Sequence, residues 1–149
     1  MRLKTYYPLP KFPPISLSGG TCALHCAHCD ATYLGGMLSA DTPEALRERC
    51  RALRQNGAIG VLLSGGSNTD GALLNLAVMT DAIRQVKQET GLILNLHPGL
   101  INAATAQQLA GAVDFASLDI PSDDVIQRVL GLDATTADYI AAYPPLSVA

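Results

Sequence analysis

Continuous apolar runs alternate along the chain with segments of helical period. Ile15 to Ser18, Ile59 to Ser64, Leu92 to His97 and Phe115 to Ile120 are short and rich in apolar residues, and the middle two are apolar on both faces. Such runs predict strands of a covered sheet. Between them Thr42 supplies a helix N-cap, Pro43 a first helical residue and Asn56-Gly57 a left-handed stop, with Leu46, Cys50 and Leu53 on one face. A second helix is expected over 73–90, ending at Gly91, with Leu76, Met79, Ile83 and Val86 as its stripe. A short third spans about 103–110. A fourth starts at Ser122, with Asp123 and Asp124 complementing its dipole. A last helical piece near 137–143 stops at Pro144-Pro145.

The alternation predicts an α/β chain with parallel strands. Four strand–helix units with right-handed crossovers form either an open doubly wound sheet or half of a barrel, and in both the ligand site lies at the carboxyl ends of the strands. The special residues fall there. A cysteine loop follows strand one, Ser64-Gly65-Gly66 follows strand two, His97 ends strand three, and Asp119 lies near the end of strand four. A full barrel takes about 250 residues. With 149 residues the expectation is a truncated, partial TIM-type barrel, 15–149, behind an N-terminal arm, 1–14. Strands one and four would then be exposed edges.

Composition narrows the classes. Hydrophobic residues make up 48% of the chain and charged ones 15%, which fits one globular domain. The net charge is -3 and the basic residues are scattered, which excludes a nucleic-acid surface. The longest uncharged stretch, 90–113, contains Asn95, His97, Pro98, Asn102, Gln107 and Gln108, so it does not span a bilayer. MRLKTYYPLPKFPP shows no secretory signal, and the expected location is the cytoplasm.

Three of the four cysteines crowd into SLSGGTCALHCAHCD as Cys22, Cys26 and Cys29. Clustered thiols in a reducing compartment point to metal or redox chemistry. Three thiolates on one loop can hold three corners of a cuboidal iron–sulfur cluster, leaving the fourth iron open to a ligand. Gly19, Gly20, Gly35 and Gly36 give the loop freedom to wrap it. The competing reading is a structural zinc site completed by His25, His28 or Cys50, although Cys50 sits on an apolar helix stripe and suits a buried, inert thiol. His97 either faces substrate, where its imidazole suits proton transfer, or bonds a neighbouring loop. Asp119, on an otherwise apolar strand, either contacts a ligand or caps the helix near Ser122. Tyr33 and Met37 read as packing residues.

These residues resemble the radical S-adenosylmethionine (SAM) superfamily, and HCDATYLGGM, LLSGGSNTDG and NLHPGL resemble its biotin synthase-like group. A two-component lipoyl synthase lies in the same neighbourhood. The resemblance runs from Ile15 to Tyr143. It implies a 4Fe-4S cluster on Cys22, Cys26 and Cys29, with SAM on the open iron and reductive cleavage to a 5'-deoxyadenosyl radical that abstracts hydrogen from substrate. It also implies that Ser64, Gly65 and Gly66 receive the methionine amino group, that Asp119 accepts the ribose hydroxyls, and that His28 packs near adenine. Ser117-Leu118-Asp119 stands where biotin synthase has Asn-Leu-Asp, and Ser67 where an acidic residue is common. Strands two and three lack cysteines for an auxiliary cluster, which disfavours biotin synthase proper. The implied partners are a small-molecule or carrier-bound substrate, an electron donor such as ferredoxin or flavodoxin, and a second subunit or missing C-terminal half. The alternatives are a zinc-stabilised binding module without turnover and an inactive fragment that needs a partner.

Overall fold

The computed structural model describes residues 7–147, with side chains through residue 142. Five parallel strands form one sheet: β1 Pro14–Ser16, β2 Leu38–Ser39, β3 Gly60–Ser64, β4 Ile93–Leu96 and β5 Phe115–Ala116, in the order β2-β1-β3-β4-β5. The helices are α1 Pro43–Gln55, α2 Leu76–Thr90, α3 Ala103–Gln108, α4 Asp123–Val125, which widens into a π-type turn over Ile126–Leu130, and α5 Thr136–Ser147. Of the expected arm, residues 1–6 lie outside the described residues. Lys11 and Pro13 already run beside β3, accepting from the amides of Ile59 and Leu62.

Local chemistry explains the helix ends. The Thr42 hydroxyl accepts from the Ala45 amide at 3.2 Å, Pro43 opens α1, and Gly57 follows it at φ 83°. Each is a capping device that needs no tertiary partner. The second helix begins three residues later than expected. Residues 67–73 are taken up by two antiparallel bridges, Ser67 to Leu73 and Ala72 to Gly99, inside which Asn68 accepts from the amides of Asp70 and Ala72. Gly91, at φ 62°, ends α2. The expected stop at Pro144-Pro145 is not the end of α5, which runs to Ser147. Proline's fixed φ is compatible with a helix, which here continues at the cost of two missing amide donors.

One face of the sheet carries Ile15, Leu17, Val61, Leu63, Leu94 and Leu96, all fully buried in one core with Leu46 and Cys50 of α1 and Met79, Ile83 and Val86 of α2. Each such leucine or isoleucine contributes roughly 1.5–3 kcal/mol by leaving water. Arg51–Glu89 at 2.6 Å adds an exposed ion pair between α1 and α2, worth at most about 1 kcal/mol. The other face is only partly covered: Ser16 and Gly60 are buried, and Leu62 and Asn95 half-buried. The register sets Gly60 beside Ile93, and Leu62 and Phe115 on either side of Asn95; Ile93 is 41% and Phe115 62% exposed. The expectation of two covered faces is therefore corrected. Helices lie on the outer side of a barrel, and its inner side closes only when further strands complete the circle. The strand count is corrected as well, since β2 pairs along β1 and takes its place as an edge. Among the described residues no helix is long and apolar enough to cross a membrane.

Candidate functional site

The chain leaving β1 is fixed before it reaches the cysteines. The buried Ser16 hydroxyl donates to the Gly19 carbonyl at 2.6 Å, and the Ser18 hydroxyl accepts from the Gly66 amide at 2.7 Å, tying the loop to the turn after β3. The Ala23 amide then donates to the Ser67 carbonyl, and the Ala27 amide to the Val129 carbonyl in the π-type turn. The expected glycine freedom is only partly used. Gly19 has φ 59°, while the other left-handed positions of the loop are His25, Asp30 and Ala31. Such conformations cost about 1–3 kcal/mol each, and here the loop's ties hold them in place. His25 Nδ1 and Asp30 Oδ1 meet at 2.8 Å across the strained turn.

Cys22, Cys26 and Cys29 line one cavity of about 580 Å³ at the carboxyl ends of the strands, together with His28, Ser64, Gly65, Gly66, His97 and Asp119. Ser117 is brought to the same sheet face but not into the cavity; its hydroxyl donates to Asn95 Oδ1 at 3.0 Å. Gly66 is pressed on the first cysteine. A Cβ there would stand 2.6 Å from Cys22 Cβ and 2.7 Å from Cys22 Cα, with the Thr21 carbonyl closer still. The Ser67 amide donates to Cys22 Sγ at 3.4 Å. An amide aimed at sulfur stabilises a thiolate and is a usual partner of sulfur ligands in metal sites. Burial pushes the Cys26 thiol up, and Cys29 and Cys22 beside it push further in the same direction, so three thiolates here need a cation among them. Among the described residues no three His, Cys, Asp or Glu side chains converge on a single-ion position.

The remaining candidates fall in different places. Cys50 is fully buried in the α1 core and burial pushes its thiol to about 12, as an inert cysteine requires. His97 Nε2 stands 3.3 Å from Asp119 Oδ2. The Asp119 side chain is 88% exposed although it follows an apolar run: the last backbone bond to β4 comes from the Ser117 amide, and the chain beyond is leaving the sheet. Neither Asp119 nor any other side chain caps α4 at Ser122. Asp123 accepts from the Thr136 amide at the start of α5, and that bond holds its carboxyl below the usual range; Asp124 pairs with Arg128 at 3.0 Å. The ring of His28 lies 6.3 Å from that of Tyr33, and Tyr33, 68% exposed, lines the cavity rather than packing in the core.

Tyr139 on α5 is the site residue that sequence reasoning missed. It is buried, lines the cavity, and its hydroxyl is pushed up by burial and by the charges of Cys26 and Asp119. The signal was its spacing from the equally buried Ala142, three residues on. A larger groove of about 940 Å³ between the start of α2, α3 and α5 shares no lining residue with the cysteine cavity.

Thiol reactivity should follow this placement. With limiting iodoacetamide on the metal-free protein, half-buried Cys22 and Cys29 should be labelled first, Cys26 more slowly, and Cys50 only in denaturant. Peptide mass spectrometry over a time course checks the order; early labelling of Cys50 would contradict its place in the core.

No family model matches the chain, and no curated protein does. Among solved structures the crystal structure of methylornithine synthase (PylB) matches with a TM-score of 0.65 and 19% identity, over 91% of this chain and 41% of that one. The chain therefore spans less than half the length of that protein. At this identity the likeness is one of fold, and the fold is a partial α/β barrel of the TIM type.

Proposed function

We propose that the chain is a radical SAM protein in which Cys22, Cys26 and Cys29 hold a 4Fe-4S cluster in the cavity at the strand ends. The carrying observation is that three thiols from one loop and the Gly65-Gly66 turn line the same cavity, with Gly66 in contact distance of Cys22. When bound, such a cluster supplies the electron that cleaves SAM to methionine and a 5'-deoxyadenosyl radical, which takes hydrogen from a substrate.

The chain's own task is to bind, orient and exclude water. The Ser67 amide lowers the cost of a thiolate at Cys22, and the loop's ties to Ser18, Ser67 and Val129 preset its shape. In the turn, the Gly66 amide is taken by Ser18 and its carbonyl accepts from Leu74, which leaves the Gly65 carbonyl as the acceptor suited to the methionine amino group. Asp119 is the carboxylate of the cavity lining and no Lys or Arg lines it, a balance that suits a cationic sulfonium and ribose hydroxyls. His28 and Tyr33 offer aromatic faces for an adenine. A small-molecule or carrier-bound substrate and a reduced ferredoxin or flavodoxin complete the reaction. The motifs HCDATYLGGM, LLSGGSNTDG and NLHPGL remain the support for the biotin synthase-like group; the solved neighbour bears another enzyme's name.

The zinc alternative is less well supported. Of its fourth-ligand candidates, Cys50 is enclosed in the core, His25 meets Asp30 through Nδ1 and His28 lines the cavity, yet among the described residues no three such side chains converge on a single-ion position. Anaerobic reconstitution with iron and sulfide tests the proposal. A brown protein with about four irons and four sulfides is expected, releasing 5'-deoxyadenosine when given SAM and a strong reductant. A colourless product, or zinc that survives aerobic purification at one per chain, overturns it. Cluster formation without 5'-deoxyadenosine supports the inactive-fragment reading instead.

A further inference from the structure

We infer that His97 is a positioning residue for Asp119, presenting that carboxylate to the ribose hydroxyls of the nucleoside. The inference rests on the proposed reading in which Asp119 accepts those hydroxyls, and goes beyond it by explaining how an exposed carboxylate is aimed. Backbone pairing between β4 and β5 ends where the Ser117 amide donates to the Leu96 carbonyl at 2.8 Å. Past that point two side-chain rungs continue the contact on the open face, Ser117 Oγ to Asn95 Oδ1 at 3.0 Å and His97 Nε2 to Asp119 Oδ2 at 3.3 Å. The two ends of the upper rung are unequally held. The His97 amide donates to the Leu63 carbonyl at 2.9 Å, and the next residue, Pro98, is buried and accepts from Leu73. Asp119 stands on the departing chain with 88% of its side chain exposed.

An exposed carboxylate on a departing segment samples many rotamers, and fixing it at the moment of binding costs affinity. The imidazole of the better-held strand end, 3.3 Å from Oδ2, restricts those rotamers in advance. It stands against Oδ2 and leaves Oδ1 for the ligand; a carboxylate offers acceptor positions at both oxygens.

Calorimetric titration of the reconstituted protein with S-adenosylhomocysteine and with its 2',3'-dideoxy analogue tests this without turnover. Wild type should prefer the full nucleoside by tenfold or more. His97→Ala should weaken S-adenosylhomocysteine by about threefold to fivefold, the effect of losing one exposed ion-pair contact, and leave the dideoxy analogue unchanged. His97→Gln, whose amide N–H reaches as far, should restore most of the preference, while the shorter His97→Asn should not. Equal weakening of both ligands in His97→Ala, or no weakening of either, overturns the positioning role and leaves the cluster reading standing. Binding of neither ligand by wild type overturns both.

Discussion

Replacing Gly66 by alanine should abolish cluster loading, whereas Gly20→Ala on the same loop should load like wild type. The difference is one of space. A methyl at Gly66 meets the Thr21 carbonyl and the Cα and Cβ of Cys22, all of them backbone or first side-chain atoms that no rotamer change can move, while a Cβ at Gly20 meets nothing within 4 Å. Either the β3 turn or the cysteine loop must shift bodily. Displacing the turn also breaks the bond from the Gly66 amide to Ser18 and the one from Leu74 to the Gly66 carbonyl. Overpacking against main chain costs about 3 kcal/mol or more, which for a domain of this size lowers the melting temperature by about 10 °C. Iron content after anaerobic reconstitution and thermal melts of the metal-free protein read the two effects separately. Normal loading in Gly66→Ala would mean that the diglycine turn and the cysteine loop are not packed together as described.

The parts of the fold that were legible in the sequence are those governed by local chemistry. Thr42-Pro43 and Asn56-Gly57 bracket α1 because caps and stops act within a turn of chain. The strand positions were legible from apolar runs, but not which side of each strand was covered. Leu92, Leu94 and Leu96 are buried and Ile93 between them is 41% exposed, and nothing in their hydrophobicity separates them. What separates them is how much of a barrel surrounds the sheet. The two-residue β2 has no periodicity to detect, and the run Phe115 to Ile120 read as one strand although its backbone pairing with β4 ends at the Ser117 amide.

The site was legible to the same depth. The cysteine loop, the diglycine turn, His97 and Asp119 reach one cavity because parallel strands deliver their following loops to one end of the sheet. The pairing of His97 with Asp119 is a contact across 22 residues and was invisible, as was the burial of Tyr139. The backbone demands of the loop were misassigned. Left-handed conformations fall on His25, Asp30 and Ala31 rather than on Gly20, Gly35 or Gly36, because the ties at Ser67 and Val129 set the path of the chain. Such ties lie outside any local window of sequence.

Cys26→Ala and Cys50→Ala should have opposite consequences, although both remove a buried thiol. Cys50 is fully enclosed among apolar side chains and protonated far above neutral pH, so its sulfur acts as packing volume. Its loss should cost about 1–2 kcal/mol through the cavity left behind, lowering the melting temperature of the metal-free protein by several degrees. Iron and sulfide loading should be unchanged. Cys26 is also buried, but its sulfur lies beside two other thiols and, among the described residues, donates only to the Leu130 carbonyl at 3.8 Å, a weak contact. Its loss should leave the metal-free protein within about 1 kcal/mol of wild-type stability, because a thiol so placed makes little use of its burial. Loading should nevertheless fall to less than about a tenth of wild type, since two thiolates leave two irons of a cube without protein ligands. Iron analysis beside calorimetric melts of the two variants decides between a ligand and a packing residue at each position. Retention of a full cluster by Cys26→Ala would remove the triad from the centre of the proposal, and loss of the cluster in a well-folded Cys50→Ala would place the fourth cysteine in the site.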